Sequence, residues 1–129
     1  MLKPLTLLLS LFFLCACSNS VTKEQLLTKQ PWTINKVEYL ETGEWAPSYI
    51  NQGSLWTFSE DYKASFSMNN DFQQTSIHGN WELKADSLYF NSPMDSSVML
   101  IEELTDSNLN WIWTAHNLKF YLIKYQERD

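Results

Sequence analysis

Ile77-His78-Gly79-Asn80-Trp81-Glu82-Leu83 sets Ile77, Gly79, Trp81 and Leu83 on one side of an extended chain and His78, Asn80 and Glu82 on the other. A period of two marks a strand with one buried face, because successive side chains leave a pleated backbone in opposite directions. A helix would need its apolar residues three and four apart. The same alternation recurs on both sides of this segment. In the preceding strand Tyr62, Ala64, Phe66 and Met68 oppose Lys63, Ser65 and Ser67, and before it Trp56 and Phe58 share a side. Trp32 and Ile34 open a first strand that runs toward Tyr39. Leu88 and Phe90 mark a fifth, Val98 to Leu104 a sixth, Leu109 to Thr114 a seventh and Leu118 to Tyr125 an eighth.

Short polar links such as Glu60-Asp61, Ala85-Asp86-Ser87 and Thr105-Asp106-Ser107-Asn108 separate most of these strands and suit hairpins between antiparallel neighbours. An open meander would expose two edges to aggregation, and closing it removes both. The expected fold is therefore all-β, a small up-and-down antiparallel barrel of eight strands. Such a barrel is just wide enough to be filled by side chains or to hold one small ligand. Ahead of it, Thr22-Lys23-Glu24-Gln25 has capping-box spacing and starts a short helix carrying Leu26 and Leu27, ended by Pro31. The one connection too long for a hairpin turn, Leu40 to Gly53, holds Trp45 and Tyr49 and is a lid candidate.

Composition narrows the function classes. The 129 residues suit one domain. A net charge of -6 without a basic stripe argues against nucleic acid as a partner. Six Trp, six Tyr and seven Phe against three Gly describe a chain that folds around rings.

At the amino terminus, MLKPLTLLLSLFFLCAC has an early cation, Lys3, an apolar run and small residues, the order of a secretory signal. The run is too short to span a bilayer, which takes ~20 residues. Leu14-Cys15-Ala16-Cys17 resembles the lipobox of bacterial lipoproteins. That resemblance implies removal of residues 1–16, acylation of Cys17, a tether over residues 17–25 and a barrel domain over residues 26–129. It also implies a cell-envelope address; Ser18 after the lipidated Cys points to the outer membrane, and Ser18-Asn19-Ser20-Val21-Thr22, without the acidic run that marks surface export in some phyla, favours the periplasmic side over the cell surface. With Cys15 lost in the signal, no further cysteine remains for a disulfide or a thiolate nucleophile.

The order Pro31-Trp32-Thr33-Ile34, Leu55-Trp56-Thr57-Phe58-Ser59, His78-Gly79-Asn80-Trp81-Glu82-Leu83, Ser87-Leu88-Tyr89-Phe90 and Ile101-Glu102-Glu103-Leu104-Thr105 followed by Leu109-Asn110-Trp111 resembles the bacterial lipocalin-like lipoproteins. The likeness covers residues 26 to 125. Two departures stand out. Gln30-Pro31 precedes the first Trp where the family has Gly, and the second hairpin carries Glu60-Asp61 in place of Asp-Gly. The resemblance implies the lipocalin-like barrel far more directly than any ligand, since function resides in a site.

Catalytic chemistry lacks a residue set. His78 falls on the polar face, His116 sits in a turn, and neither has partners at metal-ligand spacing. Glu102 and Glu103 alternate, so they cannot act together; Glu102, which shares its side with Val98, Leu100 and Leu104, is read first as a rim or solvated residue, with a lumen anchor as the alternative. No enzyme, metal site or cofactor is expected. The rings are the better clue. Trp56, Trp81, Trp111 and Trp113 occupy alternating positions and belong to one face of the wall, with Phe58, Phe66, Phe90 and Phe120 as neighbours. The first expectation is a membrane-anchored, non-catalytic binder of a small, mostly apolar ligand in the barrel mouth, contacted by Trp45, Tyr49, Trp56, Trp81 and Trp111. The alternative is a protein-protein interaction module of the envelope with a filled core, for example an inhibitor or scaffold for a cationic partner. Ile112, Tyr121, Ile123 and Tyr125 make strands seven and eight apolar on their second face as well. That surplus asks for a cover, either the amino-terminal helix or a partner.

Overall fold

A computed structural model describes residues 20–47, 53–69 and 74–126. Strands β1 (Trp32–Tyr39), β2 (Ser54–Phe58), β3 (Lys63–Asn69), β4 (Gln74–Lys84), β5 (Ser87–Asn91), β6 (Ser96–Leu104), β7 (Asn108–Trp113) and β8 (Leu118–Lys124) pair in chain order. β8 returns to β1, so the sheet closes as an antiparallel barrel. Inward positions follow the alternation in β4, where Trp81 is buried between the exposed Asn80 and Glu82. The register aligns Trp81 with Phe90 and Leu83 with Leu88, so apolar side chains from neighbouring strands meet at the same level and bury together.

Helix α1 (Lys23–Thr28) starts with the reciprocal cap read from the sequence. The Thr22 hydroxyl accepts from the Gln25 amide at 3.1 Å, and the Thr22 amide donates to the Gln25 side chain at 2.9 Å. The helix begins within the stretch assigned to the tether. Its one buried residue, Leu27, enters the end of the barrel beside Trp32, whose indole N–H donates to the Leu27 carbonyl at 3.1 Å. Lys23 pairs with Asp86 in the β4–β5 turn, and Lys29 pairs with Asp106 in the β6–β7 turn at 2.9 Å. These contacts make this the closed end. The helix therefore does not cover the outer face of β7 and β8, where Ile123 and Tyr125 stay exposed. Six residues with a single apolar anchor plug an opening rather than blanket a sheet.

Two bulges adjust the alternation. The register shifts between Ile34 and Lys36 in β1 and between Ile101 and Glu103 in β6. At each shift two consecutive polar residues, Asn35-Lys36 and Glu102-Glu103, are exposed, so Ile34 and Val37 both face the core, as do Ile101 and the half-buried Leu104. Glu102 is accordingly a solvated residue, and its alternative as a lumen anchor falls away. Met99 and Ile101 are the buried pair of β6, while Val98 and Leu100 are 42% and 41% exposed on the outside. Glu102 lies outside too, 3.0 Å from Lys119.

The β1–β2 seam is short, with Trp32 opposite Trp56 as its one registered pair. Ser54, the one buried polar residue described, strengthens it. Its hydroxyl accepts from the Ile34 amide at 2.9 Å, and its carbonyl accepts from the Thr33 hydroxyl at 2.7 Å. Ser54→Ala strands the buried Ile34 amide, and urea unfolding should report a loss of about 1–3 kcal/mol; an unchanged midpoint would show that the seam does not depend on the hydroxyl. In the β2–β3 turn, Tyr62 takes the left-handed conformation at φ 64°, the position where a Gly would be relaxed. Its ring packs on Trp81 at 5.2 Å, which offsets the backbone strain.

Candidate functional site

The interior has a packed half and a hollow half. Toward the closed end, Leu27, Trp32, Phe58, Leu88, Leu109 and Leu122 are sealed from solvent. Toward the other end, where the β1–β2, β3–β4, β5–β6 and β7–β8 connections lie, the barrel encloses a cavity of about 200 Å³. Trp56, Phe66, Phe90 and Trp111 form its inner wall, with Ile34, Ile77, Met99, Trp113 and Phe120 around them; among the described residues Ser97 supplies the one hydroxyl. Trp56 is the hub. Its ring lies 4.9 Å from Phe66, 5.2 Å from Phe90 and 5.4 Å from Trp111, the last two edge to face. Crossed rings of this kind cannot collapse together as aliphatic chains can, so they hold the space open.

The residues expected to contact a ligand separate into three groups. Trp56 and Trp111 line the cavity. Trp81 does not; it is sealed nearer the closed end, where its indole N–H donates to the Ser59 carbonyl at 2.9 Å and its ring meets Phe58 at 6.0 Å. Trp45 sits outside the barrel, half exposed, edge-on to Tyr121 at 5.5 Å with the Lys36 ammonium 4.3 Å above its ring. An aromatic pair and a cation on the outer face explain this ring, so it is not a lid residue as placed. Tyr49, Cys17 and the signal segment lie outside the described residues. Ile34, Ile77, Met99 and Ser97 line the cavity without having been singled out. For Met99 and Ser97 the signal was their alternation with the outward Val98, legible once the phase of β6 is known.

Among the described residues no charged side chain lines the cavity. Among the described residues the ionisable groups with shifted behaviour, Asp61, Lys119 and Tyr121, lie on the outside of the barrel. The Tyr121 hydroxyl donates to Glu38 at 2.8 Å, and this bond holds its pKa above the usual tyrosine value. The bond to Glu102 raises Lys119, and the Ser59 hydroxyl lowers Asp61. These contacts pin outer side chains; none is placed for acid-base work on a molecule inside the barrel. Among the described residues no three His, Cys, Asp or Glu converge as a metal site. Two other recesses, of about 590 Å³ beside Lys63, His78 and Asn91 and about 810 Å³ beside Thr33, Ser67 and Lys124, lie on the outer surface. Both are open to water, whereas the inner cavity offers the apolar enclosure that small-molecule sites use.

No protein-family profile matches the chain, and no curated protein matches it in sequence. Solved structures do match in fold. A lipocalin-like protein from Bacteroides uniformis superposes with a TM-score of 0.64 at 16% identity, over 78% of this chain and 99% of that one. An uncharacterized protein from Bacteroides eggerthii superposes with a TM-score of 0.62 at 14% identity, over 74% and 98%. The described residues form an eight-stranded closed antiparallel barrel with one short α-helix, and the fold is lipocalin-like.

Proposed function

We propose that this chain is a membrane-anchored, non-catalytic protein that holds a small, mostly apolar molecule in its open-end cavity. The observation that carries this reading is the apolar space of about 200 Å³ between Trp56, Trp111 and Phe66. An engineered apolar cavity of about 150 Å³ stays dry and takes up benzene or xenon, so this space suits one or two fused rings and is too small for a long acyl chain. Bromobenzene tests it. A heavy atom quenches an indole only at contact range, and three indoles, Trp56, Trp111 and Trp113, line the cavity. Saturable quenching is expected, and Ser97→Phe, which grows a ring into the space from the wall, should abolish it while circular dichroism stays unchanged. Quenching that is linear in bromobenzene and indifferent to Ser97→Phe would count against the cavity and favour the outer stripe of Val98 and Leu100 as the working surface.

The anchor belongs to the same proposal. It rests on the lipobox-like Leu14-Cys15-Ala16-Cys17 and on the short distance in sequence from Cys17 to helix α1. Two or more acyl chains hold a protein firmly at a bilayer. With α1 plugging the closed end, an acylated Cys17 sets that end toward the outer membrane and the mouth away from it, into the periplasm. Metabolic labelling with an alkyne fatty acid should mark the protein, and Cys17→Ala should remove both the label and the membrane fraction.

A further inference from the structure

Four of the indoles separate into two classes by what their N–H groups meet. Trp32 and Trp81, packed toward the closed end, each donate to a backbone carbonyl. Trp56 and Trp111, both in the cavity wall, make no hydrogen bond to any described residue. Of these two, Trp56 is only half-buried, whereas Trp111 is 2% exposed. A buried indole N–H normally finds a partner, and leaving a donor unpaired in an apolar interior is costly. Its edge contacts with Trp56 and Phe58, at 5.4 and 6.4 Å between centroids, are weak substitutes for an oxygen acceptor. Ser97 differs, because its hydroxyl is only half-buried.

Resting on the binding function proposed above, we infer that the cavity selects a neutral, ring-sized molecule carrying an acceptor oxygen, and that Trp111 donates its indole N–H to that oxygen. Neutrality follows from the walls. Among the described residues no cation lines the cavity to pair with a carboxylate, and an unpaired charge in such surroundings is prohibitive. A carbonyl or hydroxyl is affordable once it takes the waiting donor, and a pure hydrocarbon leaves that donor unmet. Trp111 is thus the specificity residue for the polar atom, and the surrounding rings select shape.

Acetophenone and α-methylstyrene make the test, because they share a shape and differ in C=O against C=CH₂. Their different solubilities cancel when the ratio of their affinities is compared between proteins. Trp111→Phe should lower the acetophenone to α-methylstyrene ratio about tenfold, the value of one hydrogen bond formed away from water. Since Trp111→Phe also loosens packing, the same ratio should be measured with Trp111 replaced by benzothienylalanine, which keeps the bicyclic shape and lacks the N–H. A tenfold fall in both variants supports the assignment. A ratio that stays constant while both probes bind overturns the role of Trp111 and leaves the cavity function standing. If neither probe binds the native protein, the binding function fails and this inference fails with it.

Discussion

Gly79→Val is expected to lower the melting temperature by about 10–20 °C, the largest effect of any single substitution on the barrel wall. Gly79 lies inside the alternating face of β4, where a side chain would point inward, yet β5 leaves it no room. A Cβ built on it would overlap the Asn91 carbonyl oxygen, with the carbonyl carbon at 2.8 Å and a Phe90 ring carbon at 3.0 Å. The obstacle is backbone held by the β4–β5 ladder, in which Asn80 pairs with Asn91. It cannot rotate aside as a flexible side chain can. Overpacking costs about 1–3 kcal/mol and more where the backbone must move, and each kcal/mol shifts the midpoint of a domain this size by about 4–8 °C. Asn80→Val, one residue on and exposed, is the control and should change little. Thermal circular dichroism of the two variants decides the matter; equal midpoints would mean that β5 does not approach β4 as described.

Leu27→Ala should cost about 3 kcal/mol, within the 2–5 kcal/mol usual for truncating a sealed leucine. The loss exceeds what a six-residue surface helix would normally produce, because Leu27 is fully buried in the closed end of the barrel and its carbonyl holds the Trp32 indole. With the side chain gone, the Leu27 carbonyl must hold the Trp32 indole without an apolar anchor beside it, and the exposed ion pairs of Lys23 with Asp86 and Lys29 with Asp106 contribute little. Exchange of the Trp32 indole proton should therefore accelerate sharply. Leu26→Ala, at the half-buried neighbour, should cost well under half as much. Similar urea midpoints for the two variants would show that the helix rests on the barrel without plugging it.

Sequence and structure agree where one residue type alternates cleanly with another. In β4 the run from Ile77 to Leu83 identifies strand, face and buried Trp81 together, and Thr22 to Gln25 identifies the helix cap. The disagreements have physical causes. Glu102-Glu103 breaks the alternation because β6 bulges there. A bulge reverses the phase of everything on one side, so Val98 and Leu100 read as inward and lie outward. Asn35-Lys36 is the same event in β1. Trp81 belongs to the inward face, as its spacing requires, but its depth along the barrel axis depends on the stagger between strands. Local spacing does not encode that stagger, so Trp81 reads as equivalent to Trp56 and Trp111. Trp45 carries no periodicity at all. Its position depends on Lys36 and Tyr121, neither adjacent to it in sequence, and on the backbone bridge between Trp45 and Glu38.

A crystal of the described domain pressurised with xenon addresses the hollow half of the barrel without any assumption about the natural ligand. Xenon occupies dry apolar cavities of this size and ignores filled ones. Anomalous density between Trp56, Phe66, Phe90 and Trp111 is the expected result. Well-ordered side chains closing that space, with no xenon inside the barrel, would contradict it and make this protein a plug rather than a container.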